Sequence, residues 1–187
     1  MTNLIKSAAV TVIFGLAIFG IMGTGPAGAA SKAQIDRDAD TALQQLYAST
    51  PVAKMLAREA KAILIFPSIV KAGFIVGAQG GNGVLRKQGK SVGYYNTASA
   101  SYGLQAGIQK YGYALIFMSE SALRYLEKSD GWEIGVGPSI VIVDAGVAKS
   151  LTTTTAKKEI YAFFFHQRGL MAGLGLQGTK ITRINPD

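Results

Sequence analysis

From Pro67 onward the chain is a series of short β-rich runs interrupted by glycine, and that spacing limits the fold more than any other feature. Eighteen of the 23 glycines follow residue 29, many of them two apart inside apparent strands, such as Gly135/Gly137 and Gly173/Gly175. Glycine weakens a strand unless curvature or close backbone approach needs the missing side chain. The pattern predicts a strongly curved, antiparallel, barrel-like sheet. The expected strands are Lys71–Gln79, Gly83–Lys87, Ser91–Tyr95, Ser99–Gln109, Tyr113–Met118, Trp132–Gly135, Ser139–Val143, Glu159–His166 and Leu170–Leu176. One helix is expected near 119–128, where Leu123 and Leu126 share a face before the turn Ser129-Asp130-Gly131. A membrane-spanning barrel fits poorly, since its strands need about 9–11 residues each.

The segment before Pro67 is helical in pattern. Ser31 is a suitable N-cap, and Ile35, Ala39, Ala42, Leu43 and Leu46 repeat at helical spacing. Asp36, Asp38 and Asp40 begin like a calcium loop, but Thr41 and Tyr47 stand where Gly and Glu are required, so they are read as a solvated acidic face. Thr50-Pro51 opens a second helix, with Val52, Met55, Leu56, Ala60 and Ile63 on its apolar side. Lys54, Arg58 and Lys61, at i, i+4 and i+7, are expected on another face. Pro67 is expected to close this segment. The fold class is therefore α+β, amphipathic N-terminal helices packed on a Gly-rich curved sheet. Residues 30–187 are read as one domain, mainly helical over 30–66 and mainly β over 67–187.

Residues 1–29 read as a cleavable secretory signal peptide. Lys6 precedes the apolar run Ala8–Met22, too short for a span of about 20 residues, and Ala27-Gly28-Ala29 suits a signal peptidase. The chain has no cysteine, which rules out disulfides, thiolate metal sites and a lipoprotein anchor. Lys and Arg number 19 against 11 Asp and Glu, a net charge of +8, so the electrostatic partner is anionic. For an exported chain nucleic acid is a poor candidate and anionic lipid headgroups a good one. The expected location is the periplasm, peripherally on a membrane.

Motifs for chemistry fail on context. Gly173-Leu-Gly175-Leu-Gln-Gly178 matches a dinucleotide fingerprint, but only nine residues follow, too few for its helix. Gly83 to Ser91 has five residues between glycines rather than the four of a phosphate loop, and reads as a basic hairpin turn. His166 is the sole histidine, and a triad with Asp144 lacks any nucleophile elbow. No enzyme, cofactor or metal site is expected. The hydroxyl run Ser150–Thr155 favours extended chain in a loop, edge or polar pocket. Arg86, Lys87 and Lys90 form a second basic cluster at a turn.

Several segments together resemble the SYLF domain family. They are Ala62–Pro67 with Val70–Phe74, Gly93–Asn96, Ala100–Gly107, Tyr111–Ala114, Ser129–Ser139 around Trp132, Ser150–Thr155 and Gly169–Gly175. The resemblance implies a lipid-binding module. Eukaryotic relatives bind phosphoinositides through a basic amphipathic segment, here corresponding to Pro51–Lys61, and some bundle actin; bacterial relatives look like envelope proteins assigned to phospholipid binding. Export makes actin an implausible partner for this chain.

The expected function is non-enzymatic binding of anionic phospholipid headgroups. Lys54, Arg58, Lys61 and Lys71 are the expected headgroup contacts, and Met55 and Leu56 the expected membrane-inserting side chains. Three cations near an anionic surface contribute about 1 kcal/mol each, a transient contact unless apolar side chains join. The alternative class is an envelope scaffold that docks another protein without lipid dependence. A third reading is a carrier whose barrel interior holds an acyl chain.

Overall fold

The computed structural model describes residues 30–73, 76–102, 107–152, 154–168, 176 and 178–187. The leader expected over 1–29, and Leu170–Leu176 except Leu176 itself, lie outside the described residues. The chain opens with α1 (Lys32–Ser49) and α2 (Pro51–Glu59). Ser31 caps α1 by accepting the Gln34 N–H at 3.3 Å. The buried side of α1 is Ile35, Ala39, Ala42, Leu43 and Leu46, the stripe the sequence predicts. Pro51 starts α2 as expected, although the Thr50 side chain makes no capping bond.

Four long strands follow as a meander: β1 (Ala62–Gly73), β2 (Val76–Lys87), β3 (Lys90–Tyr102) and β4 (Gly107–Phe117). Then come α3 (Glu120–Lys128), β5 (Trp132–Glu133), β6 (Ile140–Ile142), α4 (Ala145–Ser150), β7 (Ile160–Arg168) and β8 (Lys180–Ile184). All eight strands form one strongly curved sheet in the order β5-β8-β3-β2-β1-β4-β7-β6. Every pairing is antiparallel except β6 with β7. The α+β class with helices on a curved sheet is as expected.

β1 is the middle of this sheet and is covered on both sides. Leu64 and Phe66 face inward with Tyr113, Leu115, Phe117, Trp132 and, from α3, Leu123 and Leu126. Ile65 points the other way, into a second core built with Val84, Ala114, Ile116, Phe163, α1 and α2. The alternation explains why Ala62–Phe66 is continuously apolar: a strand buried on two faces has no polar side. Pro67 does not end it. The pairing jumps between Phe66 and Ile69 against β4 and between Ile65 and Val70 against β2, so Pro67 and Ser68 occupy a bulge, where a missing N–H is tolerated.

Several strand boundaries differ from expectation. Lys71–Gln79 and Ser99–Gln109 each straddle a hairpin connection, because β1 ends at Gly73 and β3 at Tyr102. α4 and β8 lie where no element was foreseen. The Gly83–Ser91 segment is a tight hairpin as expected, with Gln88 and Gly89 both at positive φ (49° and 77°), the geometry of a type I′ turn.

Glycine is required where the sheet is tightest. A Cβ on Gly83 would strike the Ile65 carbonyl oxygen and the Phe66 ring. Gly137 combines φ 86° with a Tyr125 ring only 2.5 Å from where its Cβ would lie. That contact closes the loop after β5 over Trp132, which is 1% exposed and donates its Nε1–H to the Val136 carbonyl at 2.9 Å.

Aromatic side chains pack the middle of the inner face, while an open pocket of about 450 Å³ remains at its margin beside Ile134, Ile140 and Leu176. Phe66 and Tyr113 stack with centroids 4.8 Å apart, and Phe117 meets Trp132 at 6.2 Å. Aromatic packing therefore takes the central space in which the carrier reading would place an acyl chain. Tyr113 donates to Thr97 Oγ1 at 2.7 Å, and Tyr111 to Gln79 Oε1 at 2.9 Å.

Burial pushes the Tyr111 hydroxyl up to about 12 from 10.0 and raises Tyr113 as well. Since these folded-state values lie above the unfolded one, the stability they confer is full below pH 10 and is lost as pH climbs toward 12. Absorbance titration at the phenolate band should show Tyr111 and Tyr113 ionising only above pH 10, with the urea midpoint falling over the same interval. Simultaneous ionisation of all tyrosines near pH 10 in the folded protein would contradict this packing.

Candidate functional site

Ala53 and Leu56 are the buried side chains of α2, so the helix points a single side at the core. At 100° per residue, Lys54 and Arg58 fall on the side turned away from it. Both are exposed. Lys61 is exposed too, but it does not continue their helical face. The helix ends at Glu59, Ala60 is extended (φ −68°, ψ 142°), and Lys61 sits in the bend before β1, its N–H donating to the Phe117 carbonyl at 2.8 Å. The cationic group is therefore two helical residues and one at the helix exit. Glu59 is exposed on the same helix.

Ion pairing separates these cations from the other basic cluster. Among the described residues the ion pairs are Arg86–Asp36, Arg86–Asp40 and Lys87–Glu127, none of which uses Lys54, Arg58 or Lys61. Arg86 also donates to the Asp36 carbonyl at 3.2 Å. Asp36 accepts from Ser91 Oγ at 2.7 Å and from the Tyr94 hydroxyl at 3.0 Å. The aspartates read as a solvated face thus clamp α1 to the β2–β3 hairpin, and of Arg86, Lys87 and Lys90 only Lys90 stays outside the ion pairs.

Two expected site residues are placed elsewhere. Lys71 is 7% exposed. It lies on β1 two residues beyond the inward-facing Ile69 and opposite Gln109, on the face away from α2, so it does not join the headgroup contacts. Leu56 is 1% exposed within the helix–sheet core, and an inserting role would require it to leave that packing. Met55 is half-buried and keeps part of its side chain at the surface.

Beside Met55 runs an open groove of about 960 Å³. Pro51, Val52 and Met55 form one wall, Ala148, Lys149 and Leu151 the other, and Ile142, Val143, Phe163 and Phe164 line it between them. Lys149 thereby places a fourth exposed cation across the groove from α2. The sequence reading missed it because α4 was not foreseen, although Asp144 was a legible signal: its carboxylate caps α4 by accepting the Gly146 and Val147 N–H groups, each at 2.8 Å.

The remaining polar candidates have local duties. Asp144 is occupied as a cap. Thr155 Oγ1 accepts the Thr152 N–H at 2.8 Å and donates to the Ser150 carbonyl at 3.0 Å, so the hydroxyl run folds a turn. His166 is exposed at φ 54° near the end of β7. Among the described residues no cluster of three His, Cys, Asp or Glu side chains could hold a metal ion, and no helix is long and apolar enough to cross a membrane.

A curved sheet with two helices on its outer side and aromatic closure around a Gly-Trp loop defines the class. Residues 98–185 match the family model described as Ysc84, Las17-binding protein actin regulator. This is the SYLF family, whose model matches that segment of the chain. The match runs from the end of β3 through β8 and contains the Trp132 loop, whereas α1, α2, β1 and β2 precede it. No curated protein matches the chain. The family's description is that of a binding and regulatory protein.

The two sides of α2 should respond oppositely to truncation. Leu56→Ala should cost about 2–5 kcal/mol through the cavity it leaves, while Lys54→Ala and Arg58→Ala should stay within about 0.5 kcal/mol. Urea unfolding midpoints at constant m-value measure both. A neutral Leu56→Ala would contradict the burial of that side chain.

Proposed function

We propose that this protein is a non-enzymatic module that binds anionic phospholipid headgroups on a membrane of the cell envelope. Lys54, Arg58 and Lys61 make the principal contacts, with Met55 beside them. The observation that carries this reading is that all three cations are exposed and outside every ion pair among the described residues. An unpaired cation keeps its full attraction for an anionic surface, whereas one held by a carboxylate, such as Arg86, contributes little. The secretory pattern of residues 1–29 supports a periplasmic location and weighs against actin as the working partner. The family's description as a protein-binding regulator favours a second reading, an envelope scaffold whose partner is another protein.

Co-sedimentation with phosphatidylglycerol vesicles across a salt series tests the first reading. At about 1 kcal/mol per cation, Lys54→Ala/Arg58→Ala/Lys61→Ala should weaken binding about a hundredfold at low salt. The native affinity should decay as the Debye length shrinks to about 8 Å near 0.15 M. Equal binding to phosphatidylcholine vesicles, or an unchanged triple variant, would overturn the headgroup mechanism. Lipid-independent capture of a defined envelope protein would favour the scaffold.

A further inference from the structure

Among the described residues no element covers the outer face of the sheet beyond α1 and α2, toward Gly73 and Val76 and toward Tyr102 and Gly107. The pairings align its residues in rows across the strands. One row reads Glu133, Lys180, Ala98, Gly80, Val70, Lys110, Arg168, from β5 through β8, β3, β2, β1 and β4 to β7. The next reads Ala100, Ala78, Ala72, Ile108. Val76 lies two residues from Ala78 on the same strand face. These residues are exposed apart from the half-buried Gly80, with Ile108 at 71%, Val76 at 58% and Val70 at 48%. The result is an apolar field of Ala, Val and Ile on the four central strands, bracketed by Lys180 on one side and by Lys110 and Arg168 on the other.

A soluble surface usually breaks such a field with polar side chains, as the alternation rule for a one-sided sheet requires. Contiguous apolar surface rimmed by charge marks a contact with protein or membrane. The charges that border the apolar field directly, Lys180, Lys110 and Arg168, are positive; Glu133 stands beyond Lys180 and Asp38 beside Lys110 and Arg168, so the balance is cationic and matches an anionic bilayer: apolar side chains enter the interfacial region while Lys and Arg remain at headgroup depth. β1 and β2 are paired on both sides across this face, so there they offer side chains alone.

We propose that this exposed face, centred on Val70, Val76 and Ile108 and flanked by Lys110, Arg168 and Lys180, is a second membrane-contact surface that dips its apolar side chains into an anionic bilayer. It deepens the phospholipid reading and rests on it in taking such a bilayer as the partner. It also supplies the apolar contact that Leu56, packed in the core, does not provide.

The absence of native cysteine allows a single probe to be placed cleanly. Ile108→Cys, Met55→Cys and Val136→Cys, each in the full chain, are labelled with an environment-sensitive fluorophore and mixed with phosphatidylglycerol vesicles. The Ile108 probe should shift to the blue and be quenched by lipids carrying a shallow spin label. The Val136 probe, exposed on the loop after β5, should not respond. Val70→Ser/Ile108→Ser exchanges only exposed side chains and should weaken vesicle binding about tenfold or more with the unfolding midpoint retained. A silent Ile108 probe beside a responding Met55 probe overturns this surface and leaves the α2 reading intact. A responding Ile108 probe in protein carrying the Lys54/Arg58/Lys61 alanine substitutions sustains this surface even where the α2 mechanism fails. No vesicle binding by the native protein overturns both, and a concentration-dependent blue shift without vesicles assigns the face to self-association and overturns the bilayer assignment.

Discussion

Burial of β1 on both of its faces is the constraint on which the rest depends. Over Ala62–Phe66 the strand has helices above and an aromatic layer below, so each side chain in turn serves a different core. The residues of β4 that pair with it, Tyr113–Phe117, and those of β7 that pair with β4 in turn, Ile160–Phe165, must follow the same two-sided pattern, and they do. The bulge at Pro67–Ser68 then lets Ile69 rejoin the inner face with Tyr111. Past that point α1 and α2 no longer cover the strand, and its outward residues, Val70 and Ala72, meet solvent. The same strand thus generates both the most buried part of the molecule and its most exposed apolar field.

Covering the first half of the sheet requires α1 to be held at a fixed angle, and electrostatics rather than apolar contact supplies the orientation. Arg86 on β2 reaches two aspartates one helical turn apart, while Ser91 and Tyr94 on β3 hold the first of them. The Arg86 side chain is only 13% exposed. A cation so buried is costly to leave unpaired, which ties the helix register to the hairpin register. Asp38, between the two clamping residues, points along a different helical direction and bonds Gln34 instead.

What was legible in the sequence was local. The α1 stripe, its Ser31 cap, Pro51 at the start of α2 and the helix near 119–128 follow from periodicity and capping within a few residues, and the Gly-rich pattern conveyed the curvature. Hairpin positions did not follow, because the sequence from Gly73 to Val76 and from Tyr102 to Gly107 carries no Pro, Asn or Asp to mark a turn. A break between Gly73 and Val76 has no polar punctuation to betray it. The candidate site was half legible for the same reason: helical spacing separated Lys54 and Arg58 from the core, but the end of α2 before Lys61, the burial of Lys71 and the pairing of Arg86 depend on partners remote in sequence. The apolar rows are invisible in one dimension, since Val70, Ala98 and Ile108 become neighbours only through strand register.

The basic excess of the chain accordingly divides by what surrounds each cation. Arg86 and Lys87 lie against carboxylates and fix elements to one another, so their field is largely spent inside the molecule. Lys54, Arg58 and Lys61 stand on α2 and at its exit, Lys149 lines the groove beside Met55, and Lys110, Arg168 and Lys180 stand around the exposed end of the sheet. In both places the cations border apolar surface, and that pairing of properties matters more than the total charge. Coulomb attraction draws a basic surface to any polyanion, but it does not reward exposed Val and Ile. A bilayer satisfies both, because its charge and its hydrocarbon lie within a few ångströms of each other in depth. The juxtaposition of unpaired cations with uncovered aliphatic side chains is therefore the physical argument for a lipid surface over a soluble anionic ligand.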